Sequence, residues 1–78
     1  LMENDEMMAK YYLEYIDVVT KKGPEEVEKN KTKFVEAYNT IAASYAIYEK
    51  PKAIEFFNKA IAIDPTNEYA LQSLKALK

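Results

Sequence analysis

The chain has 78 residues, 49% apolar and 31% charged, with a net charge of −2. That length allows one small domain with a marginal core. There is no Cys and no His, which excludes disulfides, Cys/His metal sites and nucleophiles of the Ser–His or Cys–His kind.

The first element reads Asn4-Asp5-Glu6-Met7-Met8-Ala9-Lys10-Tyr11-Tyr12-Leu13-Glu14-Tyr15-Ile16-Asp17-Val18-Val19. Asn4 or Asp5 suits a helix cap, and Glu6 suits the positive end of the dipole. At about 100° per residue, Lys10, Glu14 and Asp17 share one narrow sector. The rest of the circumference is largely apolar or aromatic, which predicts a helix covered on two sides. Thr20-Lys21-Lys22-Gly23-Pro24 ends it, with Gly23 at the C-terminal position.

Pro24, followed by Glu25 and Glu26, opens a second helix. Its first part, Glu25 to Lys33, is almost wholly polar and predicts a solvated overhang, with Glu25 and Lys29 at i,i+4. An apolar face follows: Phe34, Val35, Tyr38, Ile41, Ala42, Tyr45, Tyr48. Thr40 and Ser44 lie among these residues, and their hydroxyls are expected to bond back to the helix. Pro51 predicts a stop near Glu49-Lys50 and a start for a third helix. That helix carries Ala53, Ile54, Phe57, Ala60 and Ile61 on one face, and Glu55–Lys59 forms an i,i+4 pair. It ends at Ile63-Asp64-Pro65. Thr66 or Asn67 caps a fourth helix with Ala70, Leu71, Leu74 and Leu77 as its apolar positions. No segment alternates with period two over strand length, so no sheet is predicted. Short connections make neighbouring helices antiparallel.

The spacing Tyr38-x-x-Ile41-Ala42-x-x-Tyr45, then Ala53-x-x-x-Phe57-x-x-Ala60, then Pro65 resembles a tetratricopeptide repeat. The segment Lys59-Ala60-Ile61-Ala62-Ile63-Asp64-Pro65 is similar to the end of that motif. Its positions make physical sense. Ala42, Ala53 and Ala60 are small enough for backbones to approach, and the bulky side chains fill the groove between paired helices. The chain departs from the pattern between Tyr45 and Ala53, which are one residue closer than is usual and lack the turn Gly, so Lys50-Pro51 is expected to make the turn.

Ala9-x-x-x-Leu13-x-x-Ile16 repeats the spacing of Ala53, Phe57 and Ala60, so the first helix resembles the second helix of an upstream repeat. The interval from Ala9 to Ala53 exceeds the usual period of about 34 residues, and the excess falls in the polar stretch. The resemblance thus implies an all-α fold of antiparallel hairpins, about four helices of a tetratricopeptide-like α-solenoid. Residues 1–20 form the second helix of an upstream half-repeat, 21–33 a polar linker or overhang, 34–65 a complete repeat and 66–78 a C-terminal capping helix. The start at Leu1-Met2 reads as a cut piece of a longer protein.

No enzyme, cofactor or metal site is expected. Gly23 stands alone, without a phosphate loop. The carboxylate pairs at Asp5-Glu6 and Glu25-Glu26-Glu28 are explained by helix starts. All basic residues are Lys, and an Arg-free acidic chain is a poor nucleic-acid binder. Lys10, Glu14 and Asp17 do not make the basic face of a membrane-surface helix, and no apolar run is long enough to span a bilayer.

What the resemblance implies instead is a protein–protein interaction module. The family's concave-face positions fall on Glu36, Asn39, Ala43 and Ile47, and at matching offsets on Tyr69, Gln72 and Ala76. Asn39 and Gln72 amides would hold a partner segment's backbone, with Tyr69 as apolar anchor. The surface lacks the several Lys and Arg of family members that clamp carboxylates. A second expectation is architectural. The two-faced first helix lacks a partner helix, so Met7, Met8, Tyr11, Tyr15 and Val18 would pack on an upstream repeat or join two copies as a homodimer.

Overall fold

A computed structural model describes the backbone of residues 2–77 and the side chains of residues 7–77. All regular structure in it is α-helix: α1 (Met2–Lys22), α2 (Pro24–Lys29), α3 (Lys31–Tyr45), α4 (Lys50–Ile63) and α5 (Glu68–Leu77). Among the described residues there are five helices where about four are expected. The extra break is at Asn30, which ends α2 and precedes α3 with φ −107° and ψ 18°. Its side-chain Nδ2 donates to the Glu26 carbonyl at 2.8 Å, and its backbone N–H donates to the carbonyls of Glu26 and Val27, both at 3.1 Å. Asn competes in this way for backbone partners and interrupts helices. The polar stretch stays solvated, with no buried residue in α2. It folds into a six-residue helix packed chiefly on α1 and more lightly on α3. Its ion pair is Lys29–Glu26 at 3.9 Å rather than Glu25–Lys29.

Gly23 separates α1 from α2 at φ 115° and ψ 170°, a backbone state that L side chains rarely adopt. At its other end α1 begins at Met2, upstream of the expected cap. The side chains of Asn4, Asp5 and Glu6 lie outside the described ones.

The turn between α3 and α4 forms earlier than the proline suggests. The Tyr45 carbonyl accepts from Tyr48 N–H at 3.0 Å and Glu49 N–H at 2.7 Å. Ala46–Glu49 thus reverses the chain, and Glu49 is the extended residue, at φ −137°. Lys50 and Pro51 sit inside the first turn of α4, where a missing N–H costs nothing. Tyr48 is exposed in this turn rather than on the apolar face. At the far end, Asp64 is extended before Pro65, as the ring requires. The Asp64 carboxylate accepts from the N–H and hydroxyl of Thr66, and Asn67 caps α5.

α3 lies between α1 and α4. Lys52 sits over the Tyr45 ring and Lys59 over the Tyr38 ring, so α3 and α4 run antiparallel. Tyr15 meets Phe34 edge-on, while Ala9 and Leu13 share a hollow with Ser44 and Tyr48, so α1 and α3 are antiparallel too. Among the four longer helices, the extensive interfaces join α1 to α3, α3 to α4 and α4 to α5. This row-like order gives a slab of 33 × 29 × 17 Å. Its radius of gyration is 12.2 Å, slightly above the value of about 11.5 Å for a compact domain of this length.

The core has two lobes. Val35, Ala42, Ala53, Phe57, Ala60, Ala70 and Leu74 bury together across α3, α4 and α5. Ala42, Ala53 and Ala60 are fully covered, which lets the helices approach closely around Phe57. The second lobe joins α1 to α3 through Ala9, Tyr12, Ala37 and Ile41. Tyr12, not Leu13, takes the buried place after Ala9, and Leu13 is partly open to solvent. Tyr45 and Phe56 stack at 5.8 Å and touch both lobes, welding them into one core.

Candidate functional site

Beside the α3–α4 core, the outer flank of α3 and the α4–α5 turn enclose a groove of about 750 Å³. That lies within the range of roughly 300–1,000 Å³ typical of ligand sites. α3 contributes Glu36, Asn39, Thr40, Ala43 and Ser44, spaced three and four apart along one stripe. The other wall comes from Ile63, Asp64, Asn67 and Tyr69. Lys31, Glu36 and Asp64 place charges of both signs on the rim. Tyr69 is half exposed and meets Phe57 edge-on at 6.0 Å, so its ring is anchored on the core while one side stays open.

Asn39 is the buried polar residue of α3, at 9% exposure. Its orientation is dictated from α5. Asn67 is the residue before α5, and its Oδ1 accepts the Ala70 N–H at 2.9 Å. That bond satisfies one of the free N–H groups of the helix start, so Asn67 must turn its oxygen inward. The same oxygen accepts Asn39 Nδ2 at 3.1 Å. Flipping the Asn39 amide would oppose two oxygens, so Nδ2 faces Asn67. Asn39 Oδ1 is then left buried without a hydrogen-bond partner, a state that costs about 1–3 kcal/mol. Its neighbours on the stripe are settled differently. The Thr40 hydroxyl donates to the Glu36 carbonyl at 2.9 Å, and the Ser44 hydroxyl donates to the Ile41 carbonyl at 2.6 Å.

Of the concave-face residues expected from sequence, Glu36, Asn39, Ala43 and Tyr69 come together in this groove. Ile47, Gln72 and Ala76 do not line it. Ile47 lies past the end of α3, in the turn, and is 82% exposed. Gln72 and Ala76 are exposed further along α5, whereas the groove is bounded by the α4–α5 turn. Ile63, Asp64 and Asn67 were not singled out as groove residues. A cap at Thr66 or Asn67 is readable from their place before an apolar periodic run, but the meeting of Asn67 with Asn39, 28 positions away, is tertiary.

The second candidate surface is the outer side of α1. Met7, Tyr11 and Val18 are more than half exposed, and Met8 is nearly so. Tyr15 is half-buried, with its ring against Phe34 and Lys33 above it. Among the described residues, no cluster of His, Cys, Asp and Glu could hold a metal ion, and no helix is long and apolar enough to cross a membrane. Comparison with protein-family models, with curated proteins and with solved structures yields no match for this chain.

Proposed function

We propose that the chain is a tetratricopeptide-like interaction module without chemistry of its own, which holds a short extended segment of a partner protein in the α3 groove. The observation that carries this reading is the unpaired Asn39 Oδ1 beside an open groove. A peptide backbone lying in the groove offers an N–H donor of the kind that the carbonyl lacks. Glu36 and Lys31 supply polar contacts at the rim, and Tyr69 gives a rigid ring for one apolar side chain of the segment. The row-like packing of α1, α3, α4 and α5 supports the repeat reading, because repeat proteins bury each hairpin only on its neighbours.

The test is selection of peptides from a random phage-displayed library on the folded chain, followed by affinities for three variants. Asn39→Ala and Tyr69→Ala are expected to weaken binding about tenfold or more each. Gln72→Ala, outside the groove, is expected to leave it unchanged. Selected peptides that bind the Asn39 and Tyr69 variants as well as the parent, or a library that yields no specific binder, would refute the proposal.

A further inference from the structure

We infer that the outer face of α1 is a contact between two copies of this chain, packed antiparallel about a two-fold axis. This inference is independent of the groove reading. The face carries Met7, Tyr11, Glu14, Val18 and Lys21, at alternating steps of four and three residues. That is the seam spacing of helices that wind on one another. Lys10 and Asp17 run along one flank, both exposed, and Met8 and Tyr15 along the other.

The charges decide both the occupant and its direction. In an antiparallel pair, Met7 packs on Val18 of the second copy and Tyr11 on its Glu14, so an aromatic ring and a phenolic hydroxyl meet the one carboxylate of the central seam. The same register sets Lys10 of each copy opposite Asp17 of the other, and Met8 opposite Tyr15. Both flanks are thus self-complementary, as a two-fold contact demands. In a parallel pair, Glu14 would face Glu14 and Lys21 would face Lys21, stacking like charges in the seam. Inside one chain Asp17 already bonds Lys21 at 3.1 Å, with both side chains mostly exposed, so its second oxygen remains open to Lys10 of the other copy. One helix face buries less than the roughly 800 Å² per partner of a standard interface, so dissociation is expected at about 100 µM or above.

Sedimentation equilibrium up to about 1 mM tests association. The parent chain is expected to dimerise. Lys10→Glu and Asp17→Lys singly should weaken the dimer about five- to tenfold, because each change turns both symmetry-related pairs repulsive. The double variant, which exchanges the two charges, should recover it. Direction is read by oxidation of cysteine variants. Met7→Cys with Val18→Cys should form a covalent dimer much faster than either single variant. All these positions are exposed, so helical circular dichroism should not change. A parent chain that stays monomeric at the highest concentration, a charge exchange that fails to recover the dimer, or Met7→Cys alone cross-linking as fast as the pair would overturn the inference.

Discussion

Replacing Asn39 with Ala separates a residue kept for binding from one kept for stability. The change removes the Asn39–Asn67 hydrogen bond, worth about 1 kcal/mol in a folded protein. Asn67 is not orphaned, because the Ala70 N–H still occupies its oxygen. Two gains oppose the loss. Ala favours the middle of a helix over Asn by about 0.6 kcal/mol, and deleting the unpaired Oδ1 recovers about 1–3 kcal/mol of desolvation. No sealed cavity forms, since the site borders the groove. The balance is a variant more stable by roughly 0.5–2.5 kcal/mol, with a Tm raised by at least about 2 °C at this chain length. Urea and thermal melts followed at 222 nm measure it. A stabilised variant that has lost the selected peptide is the signature of a binding residue held at a cost to the fold. A variant destabilised by more than about 1 kcal/mol would show that the carbonyl is no burden, and would refute the reasoning.

Other perturbations test the fold beneath the groove. Phe57→Ala deletes a ring that is 2% exposed between three helices, and the expected loss of about 3–5 kcal/mol unfolds most of a domain of this size at 37 °C; a cooperative melt with little change in midpoint would contradict the core assignment. Gly23→Ala meets open space, with no atom within 4 Å of the added carbon, so its cost is the backbone strain at φ 115° alone, about 1–3 kcal/mol by denaturant melts. Burial raises the Tyr38 hydroxyl above its ordinary value of 10.0, so the folded state prefers the neutral phenol. Its contribution is complete below pH 10 and is lost as pH rises through the folded-state value. Tyr38→Phe should therefore flatten part of the alkaline fall in stability, and a parallel fall in both proteins would argue against it.

How much of this was legible in the sequence depends on the range of the interaction. Period and punctuation are local, and they placed the α1 stop at Gly23, the α4 stop before Pro65 and a cap for α5 at Thr66 or Asn67, of which the structure uses Asn67. Small alanines at helical intervals also marked where backbones nest, and Ala42, Ala53 and Ala60 are fully covered in one cluster. The break at Asn30 was missed because it depends on whether a side chain prefers its own upstream carbonyl to solvent, which periodicity does not register. The exchange of Leu13 for Tyr12 was missed because two neighbouring apolar residues lie close enough on a helix for a modest rotation to choose between them, and only the facing α3 surface decides.

The groove separates the two sources most clearly. The resemblance to a tetratricopeptide repeat marked one stripe of α3 as a surface, on residues three and four apart that share a face. It carried Ile47 too far, since the chain leaves the helix at Tyr45, and it extended the site along α5 to Gln72 and Ala76. Which residues stand opposite Asn39, and that one of its oxygens is left without a donor, follow from the α4–α5 turn bringing Asn67 across 28 positions of chain. Local preference along a helix is set by neighbours in sequence, whereas the pairing of two amides is set by how rigid helices dock, and that only the folded chain determines.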